Sequence, residues 1–402
     1  MRKPNVALSN LRAVVIIIVL AFHSALAYLA SAPAPHAAFD RAPYTWVAFP
    51  IVDTHHWLGF DIFCAWQDVS LMALMFFLSG LLTSGSLMRK GTRIYIADRV
   101  WRIGLPFALA ALLLSPLAYY PAYITRTAEP TFVGFWRQWF SLSSWPAGPE
   151  WFLWQLFVAN AFAALLYAVA PGYIGFLRRL AAWVGDRPIT FFALLAGISA
   201  VGYVPLALAF SPWKWSSLGP FSLQLCRPVV YLVFFFAGFA LGSYGLDRGL
   251  LAPDGPLARR WWAWLAAAGV GFGLWAGLTS LTLPDWNAAS LATRLGASFA
   301  FPLGCAAGGL FLLSGALRLS RVRSRALDSL SINAYSMYLV HYIFVVWLQY
   351  ALLNAGLIAA AKLAIVLTGA MVMSWASSAG FGRLMAGPLS VTGKRAVSPV
   401  PR

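Results

Sequence analysis

The chain has 402 residues, of which 61% are hydrophobic and only 10% charged, and it carries a formal charge of +17. Soluble domains hold about 25% charged residues, and a soluble fold of this length cannot hide that much apolar surface, so the composition excludes a soluble globular protein and makes a bilayer the fitting solvent. The positive charge would point to nucleic acid in a soluble protein; here its placement along the chain carries the information.

A spanning helix needs about 20 mostly apolar residues. In chain order, ten segments qualify: 13–31, 68–84, 104–121, 151–170, 189–210, 227–244, 262–281, 295–316, 331–351 and 358–378. With the N-terminus in the cytoplasm and the spans alternating, 22 of the 29 lysines and arginines fall inside. These are Arg2, Lys3 and Arg12; Arg89, Lys90, Arg93, Arg99 and Arg102; Arg178, Arg179 and Arg187; Arg248, Arg259 and Arg260; Arg318, Arg321, Arg323 and Arg325; and Arg383, Lys394, Arg395 and Arg402. The outside keeps Arg41, Arg126, Arg137, Lys214, Arg227, Arg294 and Lys362. That bias is the positive-inside pattern, and it explains the basic excess without a nucleic-acid partner. The expected architecture is an all-α integral membrane protein of about ten transmembrane helices with both termini cytoplasmic. One membrane domain covers 1–380 and a short cytoplasmic tail covers 381–402.

The basic start, the apolar run and Ala30-Ser31-Ala32 before Pro33 resemble a secretory signal. The run from Ala13 to Ala30 is long for a signal core, and a proline directly after the cleavage point is unfavourable, so the first span is expected to be retained. The two longest polar stretches, 32–67 and 122–150, fall outside. Neither a short-period repeat nor an inverted repeat of the transporter kind is visible. Cys64, Cys226 and Cys305 have no metal-ligand spacing.

Ionisable residues inside spans are costly, about 2.5–3.5 kcal/mol on the most lenient scale, and usually face a cavity or do chemistry. Arg12 and His23 both belong to the first predicted span. Eleven residues separate them, which comes to within about 20° of a whole number of helical turns, so they share a face and stand roughly 16 Å apart along the axis. Arg12 lies at the cytoplasmic mouth, where the bland role is an interface anchor. His23 lies past the midplane, where the bland role is a packing histidine; a neutral imidazole there is what a general base for a hydroxyl requires. A base usually has an orienting partner. Glu150 at the outer start of the fourth span and Asp68 at the outer start of the second are the carboxylates in reach. His341, well inside the ninth span, is either a channel or site residue or a helix-to-helix hydrogen bond. His55, His56, Asp53 and Asp61 would have to converge to hold a metal, and adjacent histidines on a loop point apart, so no metal is expected. Trp46, Trp57, Trp66, Trp136, Trp139 and Trp145 are either an interfacial aromatic belt or a sugar-stacking surface.

Arg12-x10-His23 in a first span resembles the membrane acyltransferase-3 family, which includes periplasmic-glucan succinyltransferases and O-antigen acetyltransferases. Met75-Phe76-Phe77-Leu78-Ser79-Gly80 is similar to that family's Phe-Phe-x-x-Ser-Gly second span, with one residue fewer between Phe77 and Ser79. Arg99-Val100-Trp101-Arg102-Ile103-Gly104-Leu105-Pro106 is similar to its cytoplasmic Arg-x-x-Arg segment. Trp151-Phe152-Leu153 resembles its Trp-Phe-Leu span start, and Tyr338-Leu339-Val340-His341 its late Tyr-Leu-x-His span. Many relatives carry His and Arg shortly before the Phe-Phe pair; here that stretch begins at Asp68 and carries neither.

The resemblance implies a membrane-bound O-acyltransferase that moves an acetyl or succinyl group from cytoplasmic acyl-CoA to a hydroxyl of an extracytoplasmic glycan. Acyl-CoA is then a donor substrate and no cofactor is held permanently. Arg99, Arg102 and Arg93 would bind the CoA phosphates through charge-assisted contacts; plain topology explains the same arginines without a ligand. Arg12 would stabilise the donor from the channel mouth, and His23 would act as base or transient acyl carrier with Glu150 as its helper. His341 and Asp68 would meet substrate. The competing expectations are a transporter or flippase for a lipid-linked or small anionic solute, and a structural scaffold, which leaves Arg12 and His23 without a purpose. The sequence sets no oligomeric state.

Overall fold

The computed structural model describes residues 5–33 and 38–386. Of the predicted basic residues, Arg2, Lys3, Lys394, Arg395 and Arg402 lie outside the described residues. The first helix, α1 (Val6–Ala25), starts seven residues earlier than the apolar run suggests. The Asn5 side chain caps it by accepting the Leu8 N–H, and it ends in a 3-10 turn over Leu26–Tyr28.

Eight stretches are long and apolar enough to cross a membrane, and the longest runs from Leu58 to Ile124. It opens with α2 (Leu58–Arg99), which breaks at Gly91 (φ +70°, ψ 166°), a conformation that a residue with a Cβ resists. π-helical turns at Val100–Gly104 and Ala110–Leu114 flank α3 (Leu105–Leu109), and α4 (Ser115–Ile124) completes the stretch. Its two ends meet on one face. Trp57 N–H donates to Tyr28 O, Asp53 N–H to Ala27 O, and the Arg126 guanidinium to Phe49 O and Pro50 O. The stretch is therefore a hairpin of two crossings that reverses at Gly91.

The stretch 122–150, expected to be an outer loop, contains the surface helix α5 (Phe132–Ser141). The chain continues through α6 (Trp151–Val169), α7 (Tyr173–Trp183) and α8 (Pro188–Phe210) to an antiparallel hairpin of β1 (Trp215–Leu218) and β2 (Phe221–Gln224). Then come α9 (Pro228–Tyr244), the one-turn α10 (Pro256–Arg259), α11 (Trp261–Ser280), α12 (Leu291–Leu319), α13 (Arg325–Ala351) and α14 (Ala359–Ala386). Counting the hairpin twice and adding α9, apolar but shorter than the others, gives the ten crossings the sequence predicts.

One face gathers the ends that the charge pattern assigned to a single side. Asn5 Nδ2 donates to Leu246 O at 2.8 Å, Asn10 Nδ2 to Val322 O at 3.1 Å, and Trp375 Nε1 to Ser329 Oγ at 2.9 Å. This basic face also carries the Gly91 reversal with Lys90, Arg93, Arg99 and Arg102.

Two cores hold the bundle. The larger lies among the spans, and its tightest seam is α2 against α9. A Cβ on Gly80 would strike the carbonyl of Phe235, one on Gly238 that of Phe77, and one on Gly242 that of Leu81, so the two backbones touch. Small residues permit such approach where lipid offers no hydrophobic drive to pack helices. The second core is a cap on the opposite, far face, where Tyr28, Phe39, Trp46, Tyr119, Tyr123, Phe135 and Trp139 bury one another. Trp46 and Trp139, predicted as a belt or a sugar platform, are neither: both are buried in this cap, and Trp46 Nε1 donates to Phe39 O. A buried ion pair straps the cap down. Lys362 Nζ lies 2.7 Å from Asp53 Oδ2, both side chains fully enclosed. Lys362 is thus not the solvated outer charge that the sequence count made it.

Candidate functional site

His23 sits on α1 and meets α13. Its Nδ1 is 2.9 Å from Val19 O and 3.3 Å from His341 Nε2. His341, fully buried, places its own Nδ1 2.6 Å from Tyr338 O. A carbonyl oxygen only accepts, which fixes both neutral tautomers. His341 carries its proton on Nδ1 and turns a lone pair toward His23. His23 carries its proton on Nδ1, shared between Val19 O and His341, and its Nε2 is left as a lone pair with no hydrogen bond among the described residues. Tyr342 stands edge-on to His23 at 5.3 Å between ring centroids and to Tyr119 at 5.7 Å. Gln349 Nε2 donates to His23 O (2.9 Å) and Ser24 O (3.2 Å), satisfying carbonyls that the end of α1 leaves open.

The expected orienting carboxylate is not the one found. Neither Glu150 nor Asp68 bonds His23; the carbonyl of Val19 and His341 do that work. Glu150 lies in the turn Gly148–Glu150 that starts α6. It is 2% exposed, its carboxylate pairs with no cation among the described residues, and the turn rests on Tyr342 and receives the Tyr338 hydroxyl at Pro149 O. Asp68 is occupied elsewhere. It accepts both Nη groups of Arg227 at 2.6 Å each, and Arg227 is 3% exposed. His341, expected in a channel or against substrate, packs on His23 instead.

Arg12 shares α1 with His23, as the spacing requires, and is exposed, with no hydrogen bond or ion pair among the described residues. Arg99 and Arg102 do converge, but around a residue that was overlooked. Asp98 lies 2.8 Å from Lys90 Nζ, 2.9 Å from Arg102 Nε and 3.6 Å from Arg99 Nη2. Three cations share one carboxylate, so the cluster stays positive. Arg99 also covers the Tyr95 ring at 4.7 Å and keeps a buried Nε without a partner. Arg102 belongs to the first π-helical turn, a distortion common at functional sites. Arg93 is exposed on the adjoining turns. The residues weighed for a metal are otherwise engaged: Asp53 holds Lys362 and the His55 N–H, and Asp61 accepts the Ala30 and Ser31 amides.

The sequence missed Asp98, Arg227 and the Tyr338–Tyr342 frame. Asp98 had a readable signal, the i,i+4 spacing to Arg102 on one helix. Arg227 had none, because its partner lies 159 residues away.

A ten-span bundle with one imidazole nitrogen left open inside it and a positive cluster on one face is a multi-pass membrane protein equipped for acid–base or nucleophilic chemistry. The acyltransferase-3 family, described as an acyltransferase domain, matches residues 5–379, so this chain belongs to that family and is an acyltransferase. Comparisons with curated proteins and with solved structures gave no match.

Proposed function

We propose that the protein transfers an acyl group, acetyl or succinyl, from cytoplasmic acyl-CoA to a hydroxyl of a glycan on the outer side of a bacterial inner membrane. The observation that carries this reading is the tautomer of His23, whose Nδ1–H is held while Nε2 is open on the face it shares with Arg12. In direct transfer, Nε2 takes the proton of the acceptor hydroxyl as its oxygen attacks the thioester carbonyl carbon. The C–O bond of the new ester forms and the C–S bond breaks. The imidazolium, its Nδ1–H supported by Val19 O and His341, returns the proton to the departing CoA thiolate. The basic cluster at Lys90, Arg99 and Arg102 holds the donor's phosphates. Arg12, about 16 Å from His23 along α1, meets the donor as its thioester is drawn inward. Asp98 keeps the cluster's arginines in place, and Glu150 with Tyr342 walls the acceptor side of His23.

The test is release of CoA from acyl-CoA by membranes bearing the protein, with and without an envelope glycan. Release that depends on glycan and vanishes in His23→Ala, while the variant stays folded, is the expected result. Full turnover in that variant would sink the reading. Glycan-independent export of a solute, with no ester formed, would favour the transporter alternative.

A further inference from the structure

We infer that the cleft enclosed by α8, α11 and α12 on the far side of Arg227 is a second binding site, which takes one hydroxyl-bearing ring of the acceptor glycan at a distance from the ring that reacts. The identity of the glycan rests on the acyl-transfer reading; the site itself does not.

The cleft is lined by Tyr203, Arg227, Trp275, Trp286 and Phe301, with Trp213 at the rim, 40% exposed. Arg227 spends both Nη groups on Asp68 and lays its Cζ over Phe301 at 4.8 Å, yet its Nε–H is buried without a partner. Trp286 is 6% exposed and its Nε1–H is equally unpartnered. Buried polar groups almost always find a partner, so two orphan donors on one cleft ask for oxygen acceptors. Asp68 cancels the charge of Arg227, so the cleft favours an uncharged ligand over a phosphate or carboxylate. A free volume of about 10 Å³ admits one water-sized group. A single hydroxyl therefore enters, accepting from Arg227 and Trp286, while its ring stays at the mouth against the exposed indole of Trp213. Sugars match this demand, because a hydroxyl oxygen accepts and the apolar face of a pyranose stacks on an aromatic ring.

Depth connects this cleft to the reactive centre. Asn5 ties the start of α1 to the end of α9 through Leu246 O. From that tie, His23 and Arg227 each stand about 25 Å along their helices, so both lie at one level. α2 separates them, packed on α1 at one side and on α9 and α12 at the other. An acceptor that reaches both must be longer than one sugar.

The experiment is calorimetric binding of envelope-glycan fragments of one, three and six sugar units to the full chain in nanodiscs, without acyl-CoA, alongside turnover of the same fragments. Longer fragments should bind more tightly than single units. Trp213→Ala and the volume-conserving Trp286→Phe should each weaken the six-unit fragment about tenfold, the loss of roughly one well-made contact, and leave kcat and single-unit affinity unchanged. Unchanged six-unit affinity in both variants overturns the proposal and leaves the donors to a structural water. Displacement of the fragment by phosphatidylglycerol at equal concentration also overturns it, assigning the cleft to lipid. Length-dependent binding that these variants weaken, in a wild-type protein with no turnover, upholds the site and sinks the acyl-transfer reading instead.

Discussion

Two ionisable pairs lie at the same depth on opposite sides of α2, and they are built in opposite ways. Asp68 and Arg227 close on each other with two 2.6 Å bonds, so opposite charges cancel and the guanidinium keeps only Nε to offer. His23 and His341 meet through a single 3.3 Å contact, carry no charge that must be cancelled, and leave a whole lone pair at Nε2. A membrane interior tolerates ionisable groups only with partners or a task. The first pair has its partner, and the second is arranged for a task.

The largest effect that would break this contrast is at the open nitrogen. His23→Ala should lower turnover about 10³-fold, within the span typical of a lost general base, with no change in the thermal unfolding of the purified protein. The closed pair should answer the other way. Asp68→Ala leaves Arg227 buried and uncompensated, which should destabilise the protein by about 3 kcal/mol. Replacing both members, as Asp68→Leu with Arg227→Met, should recover most of that loss in denaturant titration. If the single variant unfolds no earlier than wild type, the pair does not hold the bundle. His341→Phe removes the lone pair that faces His23 while keeping a ring in place. It should reduce kcat tenfold to a hundredfold, about 1.4–2.7 kcal/mol of barrier, with KM for acyl-CoA unaltered. A fall in stability without a fall in kcat would return His341 to a packing role. The smallest change sharpens the contrast between depth and surface. Arg99→Gln with Arg102→Gln should raise KM for acyl-CoA about tenfold at low salt, with the difference shrinking as ionic strength screens the exposed cluster. An unaltered KM would remove the cluster from donor binding.

Much of the fold was legible because span length and basic bias are local signals. The ten crossings and the shared face of Arg12 and His23 follow from them directly. The Gly91 reversal was visible only as a gap between spans, since no apolar pattern reveals a positive φ. The misreadings share one cause. Lys362 and Arg227 were taken as outer charges because their carboxylates, Asp53 and Asp68, are remote in the chain. A count of charges per loop has no term for a partner 309 or 159 residues away. The orienting group of His23 escaped for a different reason. A search for carboxylates overlooks a main-chain oxygen, yet the carbonyl of Val19, one helical turn back, is available to any residue.

The seam of Gly80, Gly238 and Gly242 sets the mechanics of the bundle. Where backbone meets backbone there is no side chain to swing aside, so α2 and α9 form a stiff wall that moves as one block. At the junction of α1 and α13 the contacts are rings, those of Phe22, His23, His341 and Tyr342, and rings can turn. An acyl group crossing between them is gauged by the yielding wall alone. The size of group the protein accepts is then written in Phe22 and Tyr342, and the glycines decide only that there is a wall to measure against.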